Sequence, residues 1–179
     1  SVLTPQTTDD SLNFDGDTIK GGMRYTGSAD KGKLTEVTVS VKSNTGNTEG
    51  LVYCKLYKNV TLDATPPSPI ETGTGTFNMD TIGTSYEDKV FTFDGTNELQ
   101  QYDIISIEFA GDGGDKLNLA WDSNDGTTDW SVVSMYGTGG GSPENEFSNE
   151  NTGRTFSWTV KTGADEKTTV TDVPTGSQF

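Results

Sequence analysis

The residues whose type and spacing could carry chemistry are acidic and sit in turns. Asp15 and Asp17 flank a glycine, Asp112 and Asp115 lie in AGDGGDK, and DSNDGTTD holds Asp122, Asn124, Asp125 and Asp129. Calcium takes about six to eight oxygens from carboxylates, side-chain amides and main-chain carbonyls, and glycine-rich turns let the carbonyls converge. DSNDG is not an EF-hand loop, because its Gly comes one position early and the distal Glu is missing. Each cluster reads either as a set of calcium ligands or as an exposed turn whose Asp and Asn bond their own backbone. Calcium is the expected cofactor. Paired carboxylates could also serve as the acid and base of a glycosidase, but that needs a fixed separation across a cleft, and these acids lie in turns. The chain has no His and a single Cys. That removes Ser-His-Asp and Cys-His catalysis and the usual zinc sites, so no enzyme is expected.

Two further sets of residues could hold partners. Sugar faces stack on exposed aromatic rings, and the pool is Trp121, Trp130, Trp158, Tyr86, Tyr102 and Tyr136. Trp121 and Trp158 share parity with apolar neighbours and read as core. Trp130, between Asp129 and Ser131 at a strand start, is expected to be exposed, and Trp130 with Tyr136 forms the candidate glycan contact. Asn59-Val60-Thr61 is a glycosylation sequon, with Asn59 the acceptor. The terminal segments 1–14 and 164–179 are thinly apolar, and each reads either as a flexible tail or as a strand that orders against something else. Val2, Leu3, Leu12 and Phe14, or Val170, Val173 and Phe179, could fill pockets if such a segment added a strand to the sheet edge of a neighbouring copy. Repeated head to tail, that exchange makes a filament.

The elements that must position these residues are strands. In LTEVTVSVK, Val37, Val39 and Val41 fall on one face and Glu36, Thr38, Ser40 and Lys42 on the other. In YDIISIEFA, Ile105, Ile107 and Phe109 are expected inside, with Ser106 and Glu108 outside. Phe91 and Phe93, then Leu117, Leu119 and Trp121, repeat the alternation at intervals of about a dozen residues, the rhythm of a sandwich or barrel. LVYCKLYK places Cys54 on the face of Val52 and Leu56, as a buried, inert thiol. Met23 and Tyr25 should face inward, and Gly21-Gly22 suggests a bulge. Pro66, Pro67 and Pro69 forbid a central strand between 59 and 76. WSVVSMY and RTFSWTVK, with Phe156, Trp158 and Val160 on one face, complete about eight strands, and no helical period of useful length occurs. The expected fold is an all-β, antiparallel, jelly-roll-like sandwich over 15–163, between a 1–14 and a 164–179 tail.

A net charge of −15 makes nucleic acid and anionic lipid poor partners and cations good ones, whether the charge binds metal or only keeps the protein solvated. No apolar run is long enough to span a membrane, so membrane insertion is not expected. The start SVLTPQ, without Met, reads as a mature form after removal of a leader, and the Gly/Thr/Ser/Asn bias points to an extracellular location.

The order KGGMRYTGSADKGKLTEVTVSVK, LVYCKLY, a Pro-rich loop, TSYEDKVFTF, YDIISIEFAGDGGDKLNLAWDS and TGRTFSWTVKTG resembles the β-sandwich domain called choice-of-anchor R. The resemblance covers about residues 18 to 162 and includes no catalytic motif. It implies a jelly-roll-like module of secreted, cell-surface or virion proteins, used for adhesion, glycan contact or assembly. The expected function is therefore a structural subunit of a surface filament, appendage or virion, joined to copies of itself by strand exchange. The alternative is a carbohydrate-binding or adhesion module.

Overall fold

Strand β3 (Lys33–Ser43) follows its sequence pattern closely: Val37, Val39 and Val41 are fully buried, and the residues between them are only partly covered. β-branched side chains fit that pleated, half-buried surface. The computed structural model describes residues 10–14, 18–43, 50–110, 117–122, 129–136, 146–152 and 155–163. The other strands among them are β1 (Asp10–Phe14), β2 (Thr18–Tyr25), β4 (Leu51–Tyr57), β5 (Glu71–Thr72), β6 (Phe77–Asn78), β7 (Glu87–Thr92) and β8 (Ile104–Ala110). There follow β9 (Leu117–Asp122), β10 (Trp130–Tyr136), β11 (Ser148–Asn151), β12 (Thr155–Phe156) and β13 (Thr159–Gly163). One 3-10 turn, Met79–Thr81, is capped by the Asn78 side chain.

These strands form two antiparallel sheets. The first has the order β1-β9-β3-β13, with β12 on β9 and β7 on β3; the second runs β11-β10-β2-β8-β4-β5, with β6 also on β4. The fold is an all-β sandwich, as the alternation implies. It has more and shorter strands than expected, since β5, β6 and β12 are two residues each. The Pro-rich stretch stays out of the sheet interior, and β5 beyond it joins only the edge of β4.

Between the sheets lie Met23 and Tyr25 from β2, Val52, Cys54 and Leu56 from β4, and Ile105 and Ile107 from β8, all fully buried. Phe156 and Trp158 stack with ring centroids 4.9 Å apart. Their run is divided, however: β12 pairs with β9 and β13 with β3. Met79, Ile82 and Leu99 enter the same core from turns.

Gly21 and Gly22 carry no bulge on the β8 side. The β2–β8 register is continuous from Lys20↔Glu108 to Arg24↔Ile104. The glycine is there for close approach: a Cβ on Gly22 would lie 2.7 Å from the Ile105 carbonyl oxygen and 2.8 Å from Cγ2 of Ile104.

The second sheet also departs from the expected inside/outside division. Ser106 and Glu108 face away from the main core and are nevertheless buried, like Ile104 on the same side. A second apolar cluster covers that face: Tyr57, Val60, Ile104, Val133 and Phe147, with Leu62 against it. β8 is thus covered on both faces and hydrogen-bonded on both edges, by β2 and β4.

Candidate functional site

Most of the candidate calcium ligands, Asp15, Asp17, Asp112, Asp115, Asn124 and Asp125, lie outside the described residues, and Asp122 is described by its main chain alone. The register does pair Phe14 with Leu117, so segments 15–17 and 111–116 leave from neighbouring strand ends. Asp129 is half exposed; its carbonyl accepts from the Thr26 N–H at 2.8 Å and its carboxylate lies 3.4 Å from the Lys31 ammonium. Among the described residues no three His, Cys, Asp or Glu side chains gather as a metal set.

The aromatic expectation is corrected at Trp130. Its side chain is 5 % exposed and packs on Tyr25, with centroids 5.1 Å apart. β10 lies between β2 and β11, and the parity that turns Val132 inward turns Trp130 inward as well. Tyr136 is described by its main chain only. Among the described residues the exposed aromatic is Tyr102, held at a φ of 71° with the Arg24 guanidinium 4.5 Å from its ring centroid. Asn59 is exposed in a turn at a φ of 50°.

Of the candidate assembly residues, Val2 and Leu3 lie outside the described residues, as do Val170, Val173 and Phe179, while Leu12 and Phe14 fall in β1. β1 lies along β9 of its own chain, from Asp10↔Trp121 to Phe14↔Leu117. Among the described residues no strand pairs with its other edge.

The site that sequence reasoning missed is on the outer face of the second sheet. Glu108 from β8 is 6 % exposed. Its Oε1 accepts from the Tyr57 hydroxyl and lies 3.2 Å from the Lys20 ammonium, and its Oε2 is 2.5 Å from that of Lys55. Cross-strand register sets the Lys20 contact, since Lys20 on β2 lies opposite Glu108; Lys55 and Tyr57 reach it along β4 from the other side. Two ammoniums and a hydroxyl satisfy a carboxylate that would be costly to bury alone. Burial, and then the bond to Glu108, hold the Tyr57 phenol well above its usual range. The Phe147 ring meets that of Tyr57 edge-on at 5.2 Å. Above this floor opens a pocket of about 250 Å³, walled by Lys20, Tyr57 and residues 65–69.

No protein-family model matches this chain, and neither does any curated protein or solved structure.

A second buried acid ties down the segment that leads to the pocket wall. Asp103, 1 % exposed, accepts from the Asn59 N–H at 2.9 Å and the Gln100 N–H at 2.7 Å, and is paired with Lys58. The Val60 N–H donates to the Tyr102 carbonyl nearby. Cys54 faces the opposite side of β4, where burial and then the charge of Glu108 push its thiol up, away from the reactive thiolate. The arrangement can bind and position an anionic group. A signal for it was present in the sequence: consecutive Ile104 and Ile105 put apolar residues on both faces of β8, the mark of a strand covered on both sides.

Proposed function

We propose that this protein is an extracellular, non-enzymatic structural subunit that assembles with copies of itself into a surface filament, appendage or virion by exchanging β1. The observation that carries this reading is the five-residue ladder of β1 on β9. β1 is joined to β2 by only residues 15–17 and contributes a main-chain ladder that β9 of a second copy could accept unchanged. Exchange of one strand across a three-residue connection is a low-cost route between copies, and it leaves each sandwich complete. The order of features that resembles choice-of-anchor R domains, with their jelly-roll-like sandwiches, is in keeping with it. Calcium held by Asp15, Asp17, Asp112 and Asp115 would brace the neighbouring strand ends at Phe14 and Leu117.

The register supplies the test. Ser11 pairs with Ala120, and opposed residues of antiparallel strands have Cα atoms within disulfide range. One chain carries Ser11→Cys and the other Ala120→Cys; the two are refolded together and oxidised, and Cys54 stays in place because it is buried. Exchange yields a disulfide-linked pair with one chain of each kind. Monomers alone, from a mixture whose double variant closes its disulfide within one chain, would refute it. A chain lacking residues 1–14 should stay folded yet lose any polymers seen by electron microscopy.

A further inference from the structure

We propose that the pocket over Tyr57 is a binding site for a carboxylate-bearing sugar residue of an acidic glycan. The first support is charge. The chain carries 27 acidic and 12 basic residues, yet here two lysines converge on one carboxylate. Glu108 is covered, while Lys20 lines the pocket with about a quarter of its side chain exposed. An incoming anion meets a local surplus of one positive charge at an ammonium not wholly removed from water.

The walls supply the second. Pro66, Pro67 and Pro69 have no N–H, so that wall offers carbonyl acceptors and C–H faces and few main-chain donors. Sugar hydroxyls are donors in search of acceptors, and a pyranose ring has an apolar face to lay against the proline rings. Thr65 and Ser68 add hydroxyls that can donate or accept. An acidic peptide would bring its own amide N–H and C=O groups, half of which this wall leaves without partners. The third support is a fixed floor: the Tyr57 hydroxyl is committed to Glu108 and its ring is wedged by Phe147, so little ordering remains for binding to impose. This site stands on the opposite sheet from β1 and does not depend on strand exchange.

The test uses the full chain, trigalacturonate as probe, and galactotriose and a Glu-containing tripeptide as comparisons, followed by NMR shifts and calorimetry. Trigalacturonate should bind, perturb signals of Tyr57 and residues 65–69, and weaken in high salt, while galactotriose binds at least about tenfold less tightly, the worth of one charge-assisted bond. Lys20→Gln, in which Lys55 still pairs Glu108, should lose about tenfold for trigalacturonate and little for galactotriose. Ser68→Trp, on the exposed rim, should block both sugars, with unchanged circular dichroism certifying the fold. Absence of binding, equal binding by the Lys20→Gln chain, or tighter binding of the tripeptide would each overturn the assignment.

Discussion

Replacing Asp103 by alanine removes the acceptor of two main-chain N–H groups, those of Asn59 and Gln100, and leaves Lys58 without its carboxylate. An N–H stranded in the interior costs about 1–3 kcal/mol. Asn59 and Gln100 are both exposed residues, so water can reach part of what is lost, and Lys58, a quarter exposed, can turn outward. Removing a buried carboxylate also returns its own desolvation cost. The lower part of the range therefore applies, giving about 2–3 kcal/mol in total for Asp103→Ala. Asp103→Asn keeps one acceptor oxygen and should cost roughly half of that. Urea titration followed by tryptophan fluorescence reads the difference as a shift in midpoint at constant slope. In a thermal scan the alanine variant should melt about 4–12 °C lower. A loss below about 0.5 kcal/mol, or an asparagine variant as damaged as the alanine one, would refute the view that this carboxylate fastens the turn through those two amides.

Gly22→Ala should destabilise by about 1–3 kcal/mol, because a methyl group there meets backbone at 2.7 Å and cannot be relieved by a side-chain rotation; the same urea titration checks it. The Tyr57 phenol is held above its usual value, so the folded state keeps this proton after the unfolded chain has released it. Its contribution is complete below about pH 10 and is lost as pH rises further, with a slope of at most about 1.4 kcal/mol per pH unit that Tyr57→Phe should remove. Calcium at millimolar concentration should raise the melting temperature and chelator should reverse it; no shift would dispose of the proposed metal sites.

The fold was legible where one side of a strand meets core and the other meets solvent. Val37, Val39 and Val41 alternate with polar residues, and they are buried as expected. Cys54, Met23 and Tyr25 were equally readable, because the inner faces of their strands are uniformly apolar. Legibility ended where a second layer covers a strand. Glu108 looks like a solvated residue in any period-two reading, and its burial depends on Phe147 and Val60, which come from distant parts of the chain. Trp130 was misjudged from its polar neighbours, though its parity with Val132 was the better guide. Asp103 lies just ahead of β8, and nothing local marks it as the acceptor for an amide 44 positions earlier in the chain. Met79, Ile82 and Leu99 reach the core from turns, where no periodicity exists to announce them.

The double covering of β8 has a consequence for how the molecule comes apart. Flanked by β2 and β4 over Ile104–Glu108 and covered on each side there, the amide protons of that stretch are shielded from exchange by fraying of an edge strand. Deuterium should therefore enter this strand last, at a rate set by complete unfolding, while edge elements such as β5 and β6 label early. Protection at Ile105 and Ile107 becomes an internal clock for the whole sandwich.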